Sequence, residues 1–254
     1  MTNSIFFVDE VCPDARENNA GSKAREDIAS ILASIGLTQL ELPYDLAARR
    51  AGSAFARIGF HMTAAEDWEK ILAVAQANDT VFVQFPLLHH TLLAKKPFRS
   101  AANRGVKLIF LIHDLDFIRA GAEKSKRLTT RLRIRAEELS LLECASAMHN
   151  ERMKRKLVDS CGIKPEKILT LEIFDYLIPS NIPYAHASGR LAPIVIAGNL
   201  RRDKASYIYD LPQNVEFNLY GFGYENNGAP NIHYKGEFAP EELPAQLEGS
   251  FGLI

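Results

Sequence analysis

Short apolar segments alternate with longer amphipathic ones, and this alternation constrains the fold more than any other feature of the chain. The strongest apolar segment covers residues 106–112, where only Lys107 is charged. An almost uninterrupted apolar strand is typical of the centre of a parallel sheet that helices cover on both faces. Similar segments occur at residues 5–8, 79–84 and 194–197. The alternation predicts an α/β chain whose parallel strands are joined by right-handed crossovers.

Several helices between these strands can be predicted from side-chain periodicity. Ile28, Ile31 and Ile35 recur on one helical face, which predicts a first helix that follows residues 18–23 and ends before Gly36. Thr63 is followed three residues later by Glu66, a spacing that predicts a helix capped by Thr63. We also expect helices over residues 89–103, 124–143 and 203–209.

A break in this pattern divides the chain. Residues 177–192 lose their periodicity and gain Pro, Ser and Gly, which favours a linker. The 254 residues are compatible with two domains. We therefore predict an N-terminal Rossmann-like domain over residues 1–176 and a partial C-terminal domain over residues 193–254.

Charge and cysteine content exclude several classes of protein. Lys and Arg total 30 against 31 Asp and Glu, so the net charge of −1 disfavours a nucleic-acid binder. No apolar run approaches the roughly 20 residues that span a bilayer, and no secretory signal is evident. Cys12, Cys144 and Cys161 form no CxxC pair, which indicates a reducing compartment and no structural zinc. We expect a cytoplasmic protein without a transmembrane segment, with the inner face of the membrane as an alternative location.

Two candidate sites belong to the first predicted domain. Asn19, Gly21 and Ser22 lie between the first strand and first helix, where a glycine lets the backbone approach a phosphate or sugar. An ordinary strand–helix turn is the alternative. His113 and Asp114 follow the strongest strand, and either could accept a proton from a hydroxyl nucleophile. The alternative there is a helix cap and a solvated loop.

Two further candidates belong to the second predicted domain. A glycine turn followed by cations suits a diphosphate, and its residues are Gly198, Asn199, Arg201, Arg202 and Lys204. An exposed charged turn would have the same sequence. At the end of a later strand, an aromatic ring beside a glycine could stack on a base; the residues are Tyr234, Lys235 and Gly236. A simple loop is equally compatible. The adjacent pair His89 and His90 lacks further ligands, so we predict no metal site.

The order of the short motifs resembles a known family. The motifs are GSKAR at 21–25, QFP at 84–86, IHD at 112–114, MHN at 148–150, LEIFDY at 171–176, IAGNL at 196–200, LYG at 219–221, YKGEF at 234–238 and GSFGL at 249–253. This series, which covers nearly the whole chain, resembles bacterial galactofuranosyltransferases. It is also similar to the third glucosyltransferase of the streptococcal serine-rich adhesin pathway.

The resemblance implies a GT-B fold, in which two Rossmann-like domains face each other across a cleft. It implies inverting, metal-independent transfer of a hexose, glucose or galactofuranose, from a UDP-sugar. The UDP-sugar is the donor substrate and no other cofactor is expected. The acceptor would be a hydroxyl of a glycan, a lipid-linked glycan or a glycoprotein. A homo-oligomer is compatible with the sequence.

Roles for the candidate residues follow from the same resemblance. Arg201, Arg202 and Lys204 would stabilise the leaving diphosphate, and Tyr234 with its neighbours would contact the nucleoside. Asn19, Gly21 and Ser22 would face the donor sugar or phosphate. Asp114 is the first choice for the general base and His113 the second.

The chain differs from the family in one respect, because family members continue well past the point that corresponds to residue 254. We therefore expect a truncated second domain and weak or absent transferase activity. The alternative function is a non-catalytic module that binds a sugar, a nucleotide or another subunit. A nucleotide-dependent epimerase is disfavoured, because the chain lacks a G-x-G-x-x-G fingerprint and a Tyr-x-x-x-Lys pair.

Overall fold

The computed structural model describes most of the chain. The described residues are 3–12, 20–45, 53–115, 128–143, 145–148, 150–172, 177, 192–226, 228–239, 242–250 and 252–253. Only the backbone is described at residues 20–22, 54, 129, 130, 133, 145–148, 252 and 253. The chain divides into two compact units, residues 1–16 with 24–176 and residues 17–23 with 177–254.

The first unit is built on a parallel sheet of six strands. These strands are β1 (Ile5–Val11), β2 (Thr38–Pro43), β3 (Thr80–Phe85), β4 (Lys107–Ile112), β5 (Ala145–Met148) and β6 (Ile168–Thr170). Their spatial order is β2-β1-β3-β4-β5-β6, and every neighbouring pair is parallel. The strand order reverses beside β1, which is where open α/β sheets bind ligands at the carboxyl ends of their strands.

Five helices of the described chain accompany this sheet. They are α1 (Ala20–Ser34), α2 (Ala54–Leu72), α3 (Lys95–Asn103), α4 (Leu128–Leu141) and α5 (Glu151–Cys161). In α5, Asn150 caps the first turn by accepting a hydrogen bond from Met153 N, and Gly162 adopts the left-handed conformation after the last turn.

The predicted start of α2 is wrong. The helix begins ten residues earlier, at Ala54, and the side chain of Ser53 accepts a hydrogen bond from Ala56 N. Thr63 therefore lies inside the helix. The early turns carry exposed apolar side chains such as Phe55 and Ile58, so no buried stripe marks them in the sequence.

The predicted helix over residues 89–103 is also shorter than expected, since α3 begins at Lys95. Side-chain contacts hold the preceding residues in turns. The hydroxyl of Thr91 donates to the His61 carbonyl and accepts from Leu93 N, while the His89 carbonyl accepts the indole N–H of Trp68. These bonds compete with a continuous helical ladder.

Aromatic side chains form the centre of the core of the first unit. Trp68 and Phe98 are fully buried with ring centroids 5.2 Å apart, and Phe98 meets Phe110 edge to face at 5.0 Å. Phe110 in turn stacks on Phe85 at 5.1 Å. This cluster ties α2 and α3 to β3 and β4, and it confirms the interpretation of Trp68 as a core residue.

The second unit has a parallel sheet of four strands. They are β7 (Ile194–Asn199), β8 (Phe217–Phe222), β9 (Ile232–Gly236) and the short β10 (Gly252–Leu253), in the order β10-β7-β8-β9. A single-turn helix, α6 (Leu243–Leu247), precedes β10. Ile196, Leu219 and Ile208 are buried in its core. Of the predicted linker over residues 177–192, only residues 177 and 192 lie within the described chain.

The segment after β7 forms a 3-10 helix, Ser206–Asp210, where we predicted an α-helix over residues 203–209. The backbone N–H groups of Lys204 and Ala205 both donate to the Arg201 carbonyl, which closes a tight turn first. None of the helices in the described residues has the length and apolarity needed to cross a membrane.

Candidate functional site

In the second unit, two glycines bring the carboxyl ends of β7 and β8 close together. Gly198 and Gly221 are paired in register, with φ angles of 136° and 137°. A Cβ atom on Gly221 would overlap the carbonyl oxygen of Gly198. Only glycine therefore fits at residue 221, which is buried, whereas Gly198 is exposed and has no side chain to cover its backbone.

The predicted cationic turn follows directly after β7. The side chain of Asn199 accepts a hydrogen bond from Arg201 N at 3.2 Å, which shapes the turn. The guanidinium of Arg201 lies 3.4 Å from the carboxylate of Asp203, and both side chains are more than half exposed. Solvent screens such a pair strongly, so Arg201 can exchange Asp203 for another anion at little cost. Lys204 is exposed on the same turn.

Three tyrosines form a ladder beside this turn. The guanidinium carbon of Arg202 lies 4.8 Å above the ring of Tyr209. Tyr209 stacks on Tyr224 at 6.3 Å, and Tyr224 meets Tyr234 at 5.3 Å. The hydroxyl of Tyr234 donates to the Gly221 carbonyl at 2.8 Å, and its side chain remains 45% exposed.

The ladder brings together predicted and unpredicted residues. Tyr234, Arg202 and the glycine turn were selected from the sequence. Tyr209 and Tyr224 were missed, because the former lies in a short helix and the latter follows β8, and neither belongs to a selected motif. Lys235 sits in a β-bulge, since Leu219 pairs with Tyr234 while Tyr220 pairs with Gly236. The second unit therefore presents the exposed backbone of Gly198, cations and exposed aromatic surface at the carboxyl ends of its strands.

In the first unit, His113 and Asp114 follow β4 as predicted. The ring Nε2 of His113 lies 2.7 Å from Oε1 of Gln84, and the His113 backbone N–H donates to the Phe85 carbonyl. The Asp114 carboxylate accepts a hydrogen bond from Leu115 N at 2.8 Å, as expected for an aspartate that shapes a loop. Both side chains are half-buried.

A buried ion pair at the end of β1 was missed by the sequence analysis. The Arg25 guanidinium lies 3.3 Å from the Glu10 carboxylate, whose side chain is only 2% exposed, and it also donates to the Pro86 carbonyl. Glu10 accepts the His89 backbone N–H at 2.6 Å. Burial raises the pKa of Glu10 and lowers that of Arg25, while the ion pair opposes both effects. The signal in the sequence was a carboxylate inside an apolar strand, which needs a partner.

Histidines surround Phe60 near the same strand ends. His89, His90 and His61 have ring centroids between 5.4 and 6.1 Å from the Phe60 ring. Burial lowers the pKa of His89, although the Asp67 carboxylate 3.2 Å from its Nε2 opposes this. Across the described residues, no cluster of three or more His, Cys, Asp or Glu side chains is suited to a metal ion.

The predicted loop over residues 19–23 needs correction. Asn19 lies outside the described residues, whereas Gly21 and Ser22 belong to the first turn of α1, which begins at Ala20. The backbone N–H groups in the first turn of a helix lack an intrahelical partner.

Comparisons with known proteins agree with this architecture. The family model of the glucosyltransferase 3-like N-terminal domain matches residues 7–173, and that of the C-terminal domain matches residues 194–254. The beta-1,6-galactofuranosyltransferase WbbI of Escherichia coli (strain K12) is 28% identical over 263 aligned positions, which cover 98% of this chain and 67% of WbbI.

A solved structure supports the fold. Arabidopsis thaliana UGT89C1, crystallised with quercetin, superposes with a TM-score of 0.51 at 10% identity, covering 99% of this chain and 74% of that one. At this identity the likeness concerns the fold alone, and that fold is GT-B. With family models that match most of its length, the chain belongs to the glucosyltransferase 3-like family of glycosyltransferases.

Proposed function

We propose that the chain transfers a hexose, glucose or galactofuranose, from a UDP-sugar to a hydroxyl group of a glycan, a lipid-linked glycan or a glycoprotein. The transfer inverts the anomeric centre and needs no metal ion. The similarity to WbbI, a beta-1,6-galactofuranosyltransferase, supports a sugar-transfer reaction of this type. The donor binds to the second unit and the general base belongs to the first.

The observation that carries this proposal is the edge of the second sheet. The exposed backbone of Gly198, which no side chain covers, lets a bulky polar ligand approach closely. Arg201 and Lys204 supply the positive charge that a departing diphosphate needs. The exposed ring of Tyr234 offers a stacking surface for a planar base.

The chemistry follows from these roles. The base in the first unit, Asp114 or His113, removes the proton of the acceptor hydroxyl. The hydroxyl oxygen then forms a bond to the anomeric carbon on the side opposite the diphosphate, and the bond between that carbon and the diphosphate oxygen breaks. UDP leaves as an anion whose charge Arg201, Arg202 and Lys204 stabilise. Because displacement occurs once, the configuration inverts.

Isothermal titration calorimetry with UDP, UDP-glucose, UDP-galactopyranose and UDP-galactofuranose tests the proposal. We expect UDP to bind, and Lys204→Gln to weaken binding by about tenfold through loss of one charged hydrogen bond. Lys164→Gln is the matched control, because Lys164 is exposed in the first unit. Chelation with EDTA should leave the affinity unchanged.

Three outcomes separate the alternatives. Binding of UDP with sugar transfer supports the transferase, and the preferred donor names the sugar. Binding of UDP without transfer to any hydroxyl acceptor supports the non-catalytic module. Absence of UDP binding contradicts both the donor site and the proposed reaction.

A further inference from the structure

The first turns of α2 expose an apolar stripe. Phe55, Ile58 and Met62 are 87%, 59% and 53% exposed, and residues three and four apart are neighbours on one side of a helix. Further along the same helix, Trp68 and Leu72 are fully buried. Large apolar side chains of a helix normally face the core, so this exposed stripe is a candidate contact surface.

A second helix of the first unit has the same arrangement. Leu128 and Leu132, which lie one turn apart in α4, are 67% and 49% exposed. Ile134 and Leu141, further along α4, are fully buried. In both helices, therefore, the strongly exposed apolar side chains come before the fully buried ones.

Contacts with α3 show that these two exposed ends lie on the same side of the unit. Lys96 in the first turn of α3 lies 3.6 Å from Glu69 of α2, and Arg99 lies 2.7 Å from Glu143, just after α4. The first residues of α2 and of α4 stand roughly 20 Å of helix before these contacts. Right-handed crossovers from β2 to β3, β3 to β4 and β4 to β5 place the three helices on one face of the sheet, all running in the same direction. The exposed turns of α2 and α4 therefore both extend past α3, toward the carboxyl ends of the strands.

Positive charge accompanies the exposed apolar side chains. Arg57 in the first half of α2 and Arg131 in the first half of α4 are both exposed. In the sequence, residues 46–65 contain three arginines and residues 124–136 contain six lysines and arginines, and neither stretch contains Asp or Glu. The whole chain has a net charge of −1, so these two stretches are basic against a balanced background.

A bilayer surface that contains anionic lipid suits this combination. The apolar side chains of an interfacial helix enter the boundary between headgroups and acyl chains, while neighbouring arginines stay at the phosphate groups. Phe55 is so exposed that nearly its whole ring is available for such a contact. A second copy of the chain fits less well, because the same basic surface on both partners would bring like charges together.

We propose that the exposed first turns of α2 and α4 bind an anionic lipid bilayer. Their apolar side chains enter the interface, and Arg57 and Arg131 contact the phosphate headgroups. The contact is peripheral and involves residues of the first unit alone. It goes beyond the proposed function and does not depend on the donor site, so either can fail without the other.

Sedimentation of the whole chain with lipid vesicles tests this contact. We expect binding to vesicles of equal parts phosphatidylcholine and phosphatidylglycerol, and little binding to vesicles of phosphatidylcholine alone. Raising the NaCl concentration from about 50 mM to about 500 mM should release much of the bound protein, because salt screens its attraction to the headgroups. Equal binding to both kinds of vesicle, or binding to neither, overturns the proposal.

Single substitutions locate the contact. Phe55→Ser should weaken vesicle binding by about tenfold, since one large apolar side chain no longer enters the interface. Ile35→Ser is the matched control, because Ile35 is 66% exposed just after α1 and lies outside the proposed surface. Arg131→Gln should weaken binding by about fivefold and reduce its dependence on salt. Lys164→Gln, at an exposed site before β6, should change neither.

Tryptophan fluorescence distinguishes insertion from unfolding on the lipid. The chain has one tryptophan, Trp68, which is buried, so its emission should stay unchanged when the folded protein binds. Phe55→Trp adds an exposed reporter, whose emission should shift to shorter wavelength with anionic vesicles. Ile35→Trp should show no such shift. A shift of the wild-type emission to longer wavelength would mean that the protein unfolds on the vesicle, which overturns docking through folded helices.

Two further results would overturn the proposal. One is an equal loss of vesicle binding in Phe55→Ser and Ile35→Ser, because binding would then not use α2. The other is a dimer in solution, seen by light scattering, that Phe55→Ser dissociates, because a second copy of the chain would then cover the stripe. Unchanged thermal unfolding of each variant confirms that a loss of binding does not come from misfolding.

Discussion

Single residues decide how closely the strands of the second unit approach one another. Gly198 and Gly221 have nearly the same φ angle. An added Cβ atom would meet a neighbouring atom only at Gly221. Substitution at these two glycines can therefore distinguish the cost of an unfavourable φ angle from the cost of steric overlap. The pair also lies at the strand ends where we place the donor.

Replacing Gly221 by alanine should destabilise the second unit more than the same change at Gly198. Gly198→Ala introduces only the unfavourable φ angle, which costs about 1–3 kcal/mol. Gly221→Ala adds overlap with the Gly198 carbonyl, so we expect a larger loss or failure to fold. Denaturant unfolding of both variants measures the difference. Equal losses would show that the strands separate freely.

A second residue-scale effect concerns the buried imidazole of His89. Its Nε2 meets Asp67, while its buried Nδ1 has no hydrogen-bond partner among the described residues. A proton added at Nδ1 would therefore be buried without an acceptor, which explains why burial lowers the pKa of His89 below its ordinary value of 6.5.

This pKa shift makes stability depend on pH in a defined direction. The unfolded chain takes up the His89 proton first as pH falls below 6.5, so the free energy of unfolding decreases until the lower folded-state pKa is passed. We expect His89→Gln to show a shallower decrease between about pH 7 and pH 5. His233→Gln is the control, because the His233 side chain lies in the second unit and is 44% exposed. Identical slopes for wild type and His89→Gln would contradict the assignment.

Among the elements, α2 shows how local signals compete. The sequence predicts Thr63 as the cap, because its spacing to Glu66 fits a capping box. The structure uses Ser53, whose backbone is extended and whose hydroxyl accepts the Ala56 N–H at 3.1 Å. A cap requires non-helical backbone at its own position, and residues 54–62 already form helical turns before Thr63 is reached.

Alanine at each of these positions tests which one caps the helix. Ser53→Ala should cost about 1 kcal/mol of stability, since one N–H group of the first turn loses its acceptor. Thr63→Ala, at an exposed site inside the helix, should cost nothing or stabilise by a few tenths of a kcal/mol. Chemical denaturation followed by circular dichroism compares the two. A larger loss for Thr63→Ala would indicate that the first turns of α2 are not formed.

The whole molecule consists of two compact units, and each has its own hydrophobic core. The first core is organised by aromatic residues such as Trp68 and Phe98, and the second by aliphatic residues such as Ile196 and Leu219. A ligand that contacts one unit therefore stabilises that unit directly by mass action.

Amide hydrogen exchange, measured with and without UDP, should show this stabilisation of one unit by its ligand. At a UDP concentration of about 100 times Kd, binding stabilises the folded state by roughly 2.7 kcal/mol. We expect slower exchange in peptides that cover β7, β8 and β9, with little change in peptides from α2 and β3. Lys204→Gln at the same UDP concentration is the matched control. Protection confined to the first unit would place the nucleotide elsewhere.

The sequence by itself determined the α/β class, the strands and the glycine turn with its cations. These features depend on local periodicity and turn chemistry, which act over a few residues. Segments such as residues 106–112 and 194–197 are strands in the structure, with ends shifted by one or two residues. The family resemblance likewise depended on the order of short motifs.

Only the tertiary structure decided which side chains meet. Glu10 with Arg25, Gln84 with His113, and Tyr209 with Tyr224 are separated by 15 or more residues in the chain. Their contacts follow from strand register and from the packing of α1 and the turns against the sheets. Burial then shifts the pKa of a carboxylate or an imidazole, because protein groups replace the water that would solvate its charged form.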